Sequence, residues 1–245
     1  MPTIYLSPST QEFNPYNGGG NEELYMNIIA DEMEPYLAAS GIQFVRNTPA
    51  MTAASSIAAS NSGNFDLHLA LHSNATASGN GAVRGSEVYY YPSSVSGKRF
   101  ADIVAKNLRL IYPLPDRVRT VPTTSLGEVA RTKAPGVLIE IAYHDNAEDA
   151  EWIRNNTELI AANIVLSLTE YFGIPFNTPQ PITIANVATN GGNLNVRSNP
   201  SVEAGIVGRI PNGSEIAVYA RIPDWALVEY NGIVGYARDS FINFN

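Results

Sequence analysis

The sequence predicts an α/β protein in which a twisted, mostly parallel sheet with helices on both faces is followed by a small all-β barrel. Strand-like apolar runs alternate with helical stretches over the first part of the chain, a pattern typical of parallel sheets. Three prolines then fall within residues 175–181 and cannot continue a helix. Beyond them the apolar runs become short and are broken by Gly, Asn, Pro and Asp, which favours a small barrel. A chain of 245 residues is long enough for both parts.

The elements of the first part follow from hydrophobic periodicity. We expect residues 112–134, which contain several prolines and arginines, to form a functional loop with little regular structure. The remaining elements are predicted as strands at 3–6, 42–46, 65–75, 86–91 and 135–146, and as helices at 24–39, 51–60, 96–111 and 147–172.

The prolines divide the chain into an α/β domain over 1–174, a semi-rigid linker over 175–182 and a β domain over 183–245. In the β domain, Asn231-Gly232 separates two strand-like runs and is a strong hairpin signal. The runs of this domain lie at 182–187, 194–196, 205–210, 215–220, 226–230 and 233–237.

Composition excludes some classes of protein. The net charge of −8 argues against a nucleic-acid partner, because phosphate backbones bind basic surfaces. The absence of cysteine excludes disulfides and thiolate metal sites. No apolar run approaches the length of a membrane span. The first residues lead directly into a strand and show no signal-peptide pattern, so we expect synthesis in the cytoplasm.

The strand predicted over 65–75 ends on His72, one of three histidines in the chain. Alternate residues of a strand share a face, so His68 and His72 point the same way. Ligands and metals sit just beyond the carboxyl ends of strands in open parallel sheets, which makes His72 a candidate metal ligand or base. A histidine that is merely hydrogen-bonded in the interior is the ordinary alternative, and it is our interpretation of His68.

Two carboxylates come to the same sheet edge. Glu140 lies within the very apolar strand at 135–146, where a charge is costly to bury without a partner or a metal. Burial also raises a carboxyl pKa toward neutrality, which suits proton transfer, although pairing with an arginine would be a purely structural explanation. Glu23 begins the helix that follows the first strand, where glutamates often only complement the helix dipole.

Taken in order, these motifs resemble the zinc-dependent N-acetylmuramoyl-L-alanine amidases. The residues that carry the resemblance are Glu23 with Asn27, and the segments 71–75 (LHSNA), 85–90 (GSEVYY) and 137–140 (VLIE). The resemblance implies hydrolysis of the amide bond between N-acetylmuramic acid and L-alanine in peptidoglycan. It also implies a Zn²⁺ ion with Glu23 and His72 among its ligands, and Glu140 as the catalytic acid and base.

The sequence departs from this family at the first ligand, a histidine that follows strand one. Here no histidine occurs before His68. Gln11 has the right position in the loop after the strand, Glu12 is the better zinc ligand, and the site could also bind metal poorly or not at all. We assign Gln11 on position. His144 is a further possibility, although it falls where the family has an apolar residue.

The β domain resembles bacterial SH3-type domains, which commonly help wall hydrolases to hold peptidoglycan. The segments that carry this resemblance are 194–201 (LNVRSNPS), 225–228 (WALV) and 235–238 (GYAR). Packing alone is the alternative role. Candidate groove aromatics are Tyr219, Trp225, Tyr230 and Tyr236.

We therefore expect a two-domain peptidoglycan amidase of the phage endolysin or bacterial autolysin type that acts at the cell wall. The missing histidine leaves open a wall-binding protein that has kept the fold and lost catalysis, and a stem-peptide peptidase is a second alternative. The sequence contains no cysteine and no Gly-x-Ser-x-Gly elbow for nucleophilic catalysis. Polar residues that could hold stem-peptide carboxylates or muramyl groups are Arg84, Arg119, Arg131 and Asn74.

Overall fold

The computed structural model describes residues 1–244, and these form two compact units. One unit comprises Thr3–Glu34 and Phe44–Gly173, and the other begins at Ile174 and also takes in Met1–Pro2 and Pro35–Gln43. The predicted domain limits of 1–174, 175–182 and 183–245 remain predictions. The second compact unit also includes the end of the first helix.

The first unit is built on a six-stranded sheet with the order β2-β1-β3-β6-β4-β5. β1 pairs with β3, β3 with β6 and β4 with β5, all in parallel, whereas β4 runs antiparallel to β6. The carboxyl ends of β1, β3 and β6 therefore meet at the edge of the sheet where β4 begins. The strands are β1 (Thr3–Pro8), β2 (Gln43–Arg46), β3 (Leu67–Asn74), β4 (Ser86–Tyr90), β5 (Val118–Pro122) and β6 (Gly136–Tyr143).

β3 and β6 are the central strands, and almost every residue in them is buried. Burial on both faces explains why their sequences are continuous apolar runs rather than alternating ones. A charged or imidazole side chain in either strand is therefore exceptional and needs polar partners.

Six helices accompany this sheet in the part of the chain that the structure describes. The first helix begins where Asn21 Oδ1 accepts a hydrogen bond from the Leu24 amide (2.8 Å), and the last ends at Gly173, whose φ of 66° is a left-handed cap. The helices are α1 (Glu22–Ser40), α2 (Ala53–Ser62), α3 (Val95–Leu108), α4 (Gly127–Ala130), α5 (Ala147–Asn155) and α6 (Thr157–Phe172).

The segment 112–134 is more regular than the sequence predicts. It contains a 3₁₀ turn at Pro115–Arg117, the edge strand β5 and the short helix α4. β5 has a single buried residue, Val118, and ends on a proline, which edge strands tolerate, so its apolar signal is weak. The helix predicted over 147–172 is also interrupted, because Asn156 leaves the helical conformation and separates α5 from α6.

The second unit contains a seven-stranded sheet with the order β13-β7-β10-β11-β12-β8-β9, in which neighbouring strands run antiparallel. Its core contains small and branched side chains such as Ala185, Val196, Ile216 and Val228. The strands are β7 (Thr183–Val187), β8 (Leu194–Arg197), β9 (Ile206–Ile210), β10 (Glu215–Ile222), β11 (Trp225–Tyr230), β12 (Ile233–Arg238) and β13 (Ile242–Phe244), of which β13 is absent from the predicted runs.

Within residues 1–244, no helix combines the length and apolar character that a membrane span requires.

Candidate functional site

The centre of the site is formed by two neighbouring strand ends. His72 on β3 and Glu140 on β6 are direct partners in the parallel register. His72 is 8 % exposed, so its imidazole is almost entirely removed from water. Every group that contacts this ring is therefore important for its protonation and orientation.

The first helix supplies a carboxylate to His72, but from Glu22 rather than from Glu23. Glu22 Oε1 lies 2.8 Å from His72 Nδ1, and Glu22 is 1 % exposed. Glu23 is half-buried, and its pKa is raised by burial and by the neighbouring Glu12 carboxylate. Consecutive helical residues point about 100° apart, so only one of the two can face the strand end. The structure thus places Glu22, and not the predicted Glu23, beside His72.

Gln11 reaches the same atom of His72. Its Nε2 lies 3.4 Å from His72 Nδ1, and Asn14 Nδ2 donates both to Gln11 Oε1 (3.1 Å) and to Glu22 Oε2 (2.6 Å). A flip of the Gln11 amide would turn Oε1 toward His72 and would break the hydrogen bond from Asn14 Nδ2. Glu12, the alternative weighed from the sequence, is exposed and interacts with Glu23.

The other nitrogen of His72 faces a carboxylate that sequence reasoning did not identify. His72 Nε2 lies 3.1 Å from Oε2 of Glu128, which is 5 % exposed. Glu128 Oε1 accepts a hydrogen bond from Ser7 Oγ (2.5 Å) and lies 3.3 Å from His68 Nε2. Burial alone would raise the pKa of Glu128, but hydrogen bonds from the two histidines lower it to about 2. Glu128 is thus an anion that fixes the orientation of the His72 ring.

Glu140 is a carboxylate with a free acceptor. Its Oε2 is buried and has no hydrogen-bond partner among residues 1–244. Burial, aided by the carboxylates of Glu22 and Glu87 and opposed by His72, raises the pKa of Glu140 to about 7. A carboxyl group with a pKa near neutrality can both accept and return a proton.

The surroundings of His72 favour positive charge. Burial would lower the pKa of His72, but hydrogen bonds to Glu128 and Glu22 and the charge of Glu140 raise it to about 10. Three carboxylates thus converge on one imidazole. Within the described chain, no group of three His, Cys, Asp or Glu residues could hold a metal ion. Besides Glu22, the group that faces His72 Nδ1 is the Gln11 amide.

The other two histidines are held within hydrogen-bonded networks. His68 Nδ1 lies 3.0 Å from Ser60 Oγ, and the His68 ring stacks on Tyr5. His144 Nδ1 lies 2.8 Å from the Ser73 carbonyl oxygen, and its ring stacks on Tyr16. His144 therefore contacts β3 behind the site rather than the Nδ1 edge of His72.

The polar residues expected near a substrate fall into different places. Arg84 is tied to Asp149 and Glu148. Arg131 is exposed and precedes β6, at the opposite end of that strand from Glu140. Arg119 and Asn74, in contrast, both bind Glu87, the β4 residue that pairs with Glu140.

Two clefts adjoin this centre. The larger, of about 650 Å³, lies at the ends of β1 and β2 and includes His72 and Glu128 in its wall. A smaller cleft of about 290 Å³ lies at the start of β4 and β5 and is lined by Glu87, Arg119 and Tyr143. His72 and Glu128 can therefore be reached from the larger cleft.

Comparison with known proteins identifies the first unit. The family described as N-acetylmuramoyl-L-alanine amidase matches residues 11–170, about two thirds of the chain. The chain belongs to the N-acetylmuramoyl-L-alanine amidase family. The amidase match is followed by a match to the bacterial SH3 domain over residues 192–243. No curated protein matches the chain.

Solved amidase structures share the fold of the first unit. AmiC2 of Nostoc punctiforme is 20 % identical with a TM-score of 0.61, over 70 % of this chain and 97 % of that one. An N-acetylmuramoyl-L-alanine amidase of Clostridium difficile 630 is 18 % identical with a TM-score of 0.63, over 70 % of this chain and 97 % of that one. The catalytic domain of the CD27L endolysin, described as targeting Clostridia Difficile, is 23 % identical with a TM-score of 0.58. The match covers 69 % of this chain and 98 % of that one.

These findings confirm the predicted family, the α/β fold followed by an SH3-like β domain, and the function of a peptidoglycan hydrolase. The sequence missed Glu22 and Glu128. The adjacent Glu22 and Glu23 were visible at the start of the first helix, but the sequence does not show which of them faces the sheet. Glu128 lies in the segment predicted to be irregular and belongs to no recognisable motif.

Proposed function

We propose that this amidase cleaves the bond between N-acetylmuramic acid and L-alanine with a Zn²⁺ ion held by Gln11, Glu22 and His72 and with Glu140 as the proton-transfer group. The observation that carries the proposal is the convergence at His72. Its Nδ1 faces Glu22 Oε1 at 2.8 Å and the Gln11 amide at 3.4 Å, while Glu140 Oε2 is buried beside it without a hydrogen-bond partner in the described residues.

The donor set fits zinc. With metal–ligand bonds of about 2.0–2.1 Å, the ligand atoms of a tetrahedral site are roughly 3.3 Å apart. The two distances at His72 Nδ1 bracket that separation. A neutral amide is a weak third ligand, but the charges of Glu22, Glu128 and Glu140 favour a cation at this position.

The imidazole must be neutral, with Nδ1 unprotonated, to bind a metal. Glu128 supports that tautomer because an anion at 3.1 Å from Nε2 keeps the proton on Nε2. Ser7 and His68 in turn hold Glu128. The chain thus orients the proposed metal ligand through Nε2, the ring nitrogen that does not face Glu22 and Gln11.

A zinc ion at such a site supplies Lewis acidity and activates water. Glu140 accepts a proton from the attacking water as the new bond to the carbonyl carbon forms. It then returns that proton to the nitrogen of L-alanine as the carbon–nitrogen bond breaks, so the carboxylate is regenerated. A pKa near 7 suits both halves of this transfer.

The second unit is proposed to hold the enzyme on its polymeric substrate, as the likeness to bacterial SH3 domains supports. Trp225 and Phe241 line a pocket of about 470 Å³ together with Arg197 and Arg238. Aromatic rings and cations in one pocket suit a ligand that carries both apolar and anionic groups. Of the predicted aromatics, Tyr236 is fully buried and belongs to the core.

The test is digestion of purified walls by the zinc-loaded protein, with mass spectrometry of the products. We expect released peptides that begin with L-alanine and glycan strands with free muramic acid carboxyl groups. Glu140→Gln should reduce turnover at least a thousand-fold and retain both zinc and the fold, because it removes only the proton acceptor.

Other outcomes would reject the proposal in distinct ways. Walls that are bound but uncut in the presence of zinc would indicate a binding protein that has lost catalysis. Cuts within the stem would indicate a peptidase. Full turnover by Glu140→Gln would leave the activity standing and remove this mechanism.

A further inference from the structure

The two clefts beside the reactive centre differ in charge. The larger one, at the ends of β1 and β2, has no lysine or arginine among its lining residues and contains the carboxylates of Glu12 and Glu128. It also includes Phe13, whose side chain is 71 % exposed. The smaller one, at the start of β4 and β5, is lined by three arginines and two acidic residues: Arg84, Arg117, Arg119, Glu87 and Asp116. A substrate with an anionic end and a sugar end would therefore bind in one direction, with its anionic end in the smaller cleft.

Arg119 is bound along only one edge. Its Nε (2.8 Å) and its Nη2 both donate to Oε1 of Glu87, yet 69 % of the Arg119 side chain remains exposed. Glu87 is buried and also accepts hydrogen bonds from Asn74 and Tyr89. The guanidinium is thus oriented from below by a fixed carboxylate, while its outer donors face the cleft.

Arg117 lies beside it. Arg117 and Arg119 are both exposed and flank Val118, which is buried. Among residues 1–244, no ion pair involves Arg117, whereas Arg84 is neutralised by Glu148 and Asp149. Asp116 is the remaining acidic residue of the rim and precedes Arg117 in a 3₁₀ turn, where adjacent side chains point about 120° apart.

The spacing from the reactive centre is set by the sheet. Glu140 pairs with Glu87, and Glu87 pairs with Arg119. Neighbouring strands are about 4.8 Å apart, so the backbone of Arg119 lies about 10 Å from that of Glu140. An extended peptide advances at most about 3.3–3.6 Å per residue, so the second and third residues beyond a cleaved bond reach about 7–11 Å.

We propose that Arg119 and Arg117 form a carboxylate-binding subsite for the stem peptide, holding a free carboxylate of its second or third residue, with the muramyl sugar directed into the opposite cleft beside Phe13. The inference rests on the amidase activity proposed above and adds the direction in which the substrate crosses the site. It also explains how a protein of net charge −8 binds an anionic peptide, since the cations are concentrated where the peptide lies.

The test compares soluble muramyl peptides that differ only in whether the carboxyl group of the second or third stem residue is free or is a carboxamide. We expect the zinc-loaded full-length protein to show a kcat/KM at least ten-fold higher for the free carboxylate at one of these residues, because charge-assisted hydrogen bonds are lost on amidation. Arg119→Gln should reduce that ratio to about one.

Controls separate binding from folding. Arg131→Gln removes an exposed arginine away from the cleft and should preserve the ratio. If Arg119→Gln unfolds because Glu87 loses its partner, Arg117→Gln provides the test, and the ratio should fall at least three-fold.

The subsite is disproved if the wild-type protein cleaves free and amidated peptides equally, or if the folded arginine variants keep the full ratio. The proposed function would survive either result. If the wild-type protein cleaves neither the peptides nor walls, the proposed function itself fails and this subsite fails with it.

Discussion

At the scale of single residues, the site depends on which of two adjacent carboxylates faces the imidazole. Glu22 and Glu23 are chemically identical and differ only in their angular position on α1. Glu22 Oε1 lies 2.8 Å from His72 Nδ1, whereas Glu23 interacts with Glu12. The same substitution at the two positions therefore compares a carboxylate beside His72 with one directed away from it.

We expect Glu22→Gln to weaken zinc binding by more than the 10–100-fold typical of lost outer partners, because it removes an anionic ligand. Glu23→Gln should leave zinc affinity within about two-fold of the wild-type value. Competition with a chelator of known affinity measures both variants. Loss of zinc in Glu23→Gln with retention in Glu22→Gln would mean that the helix turns its other carboxylate to the metal.

A second prediction concerns the ligand that departs from the family pattern. Gln11→His should strengthen zinc binding at least ten-fold, because an imidazole is a better zinc ligand than an amide. Gln11→Ala should weaken it, and Glu12→Gln is the control from the same loop. Isothermal titration with zinc at fixed pH distinguishes these results. A loss of zinc affinity in Glu12→Gln would mean that Glu12, and not Gln11, is the ligand.

The sequence predicted this site incompletely for a physical reason. His72 and Glu140 were identified because a polar group in a buried strand is conspicuous. Helical phase is not encoded by two identical neighbours, so Glu22 could not be chosen over Glu23. Glu128 acts through tertiary contacts with Ser7, His68 and His72, which no local pattern contains.

At the scale of elements, α4 places Glu128 against β3 and depends on close packing with β6. Central strands were readily predicted because burial on both faces gives continuous apolar runs. The edge strand β5 and the four-residue α4 were missed because neither carries enough apolar periodicity. Both nevertheless supply residues to the site, namely Arg119 and Glu128.

Gly136, the first residue of β6, tests this packing. A Cβ at Gly136 would lie 2.4 Å from the Glu128 carbonyl oxygen and 3.0 Å from Val129 Cα. Because those atoms belong to the backbone, Gly136→Ala should destabilise the fold by about 1–3 kcal/mol. It should also weaken zinc binding, since α4 must shift and with it Glu128, which holds the His72 ring.

Gly127→Ala is the matched control. Its Cβ would meet only Ile57 Cδ1 at 3.2 Å, the end of a flexible side chain. Denaturant unfolding and zinc titration of both variants separate stability from metal binding. An unperturbed zinc affinity in a destabilised Gly136→Ala protein would show that α4 does not position the metal ligand.

At the scale of the whole molecule, charge and domain composition act together. Residues from Thr183 onward contain four arginines and five acidic residues, a net charge of −1, which leaves −7 of the total −8 on the preceding part. Walls that carry anionic polymers therefore repel the catalytic unit more than the SH3-like unit. Retention on the wall is accordingly expected from the second unit.

The pocket of the SH3-like unit gives this expectation a test. Phe241 is 43 % exposed at its rim, and the Arg238 guanidinium lies 4.8 Å from the centre of the Trp225 ring. Phe241→Ala should reduce co-sedimentation with purified walls at least five-fold, because it removes an exposed aromatic contact. Ile206→Ala, at the same exposed fraction outside the pocket, should bind as the wild type does.

Hydrolysis of a small soluble muramyl peptide separates the contributions of the two units. Phe241→Ala should alter wall digestion far more than cleavage of that peptide. Equal wall binding by the two variants would assign retention to another surface.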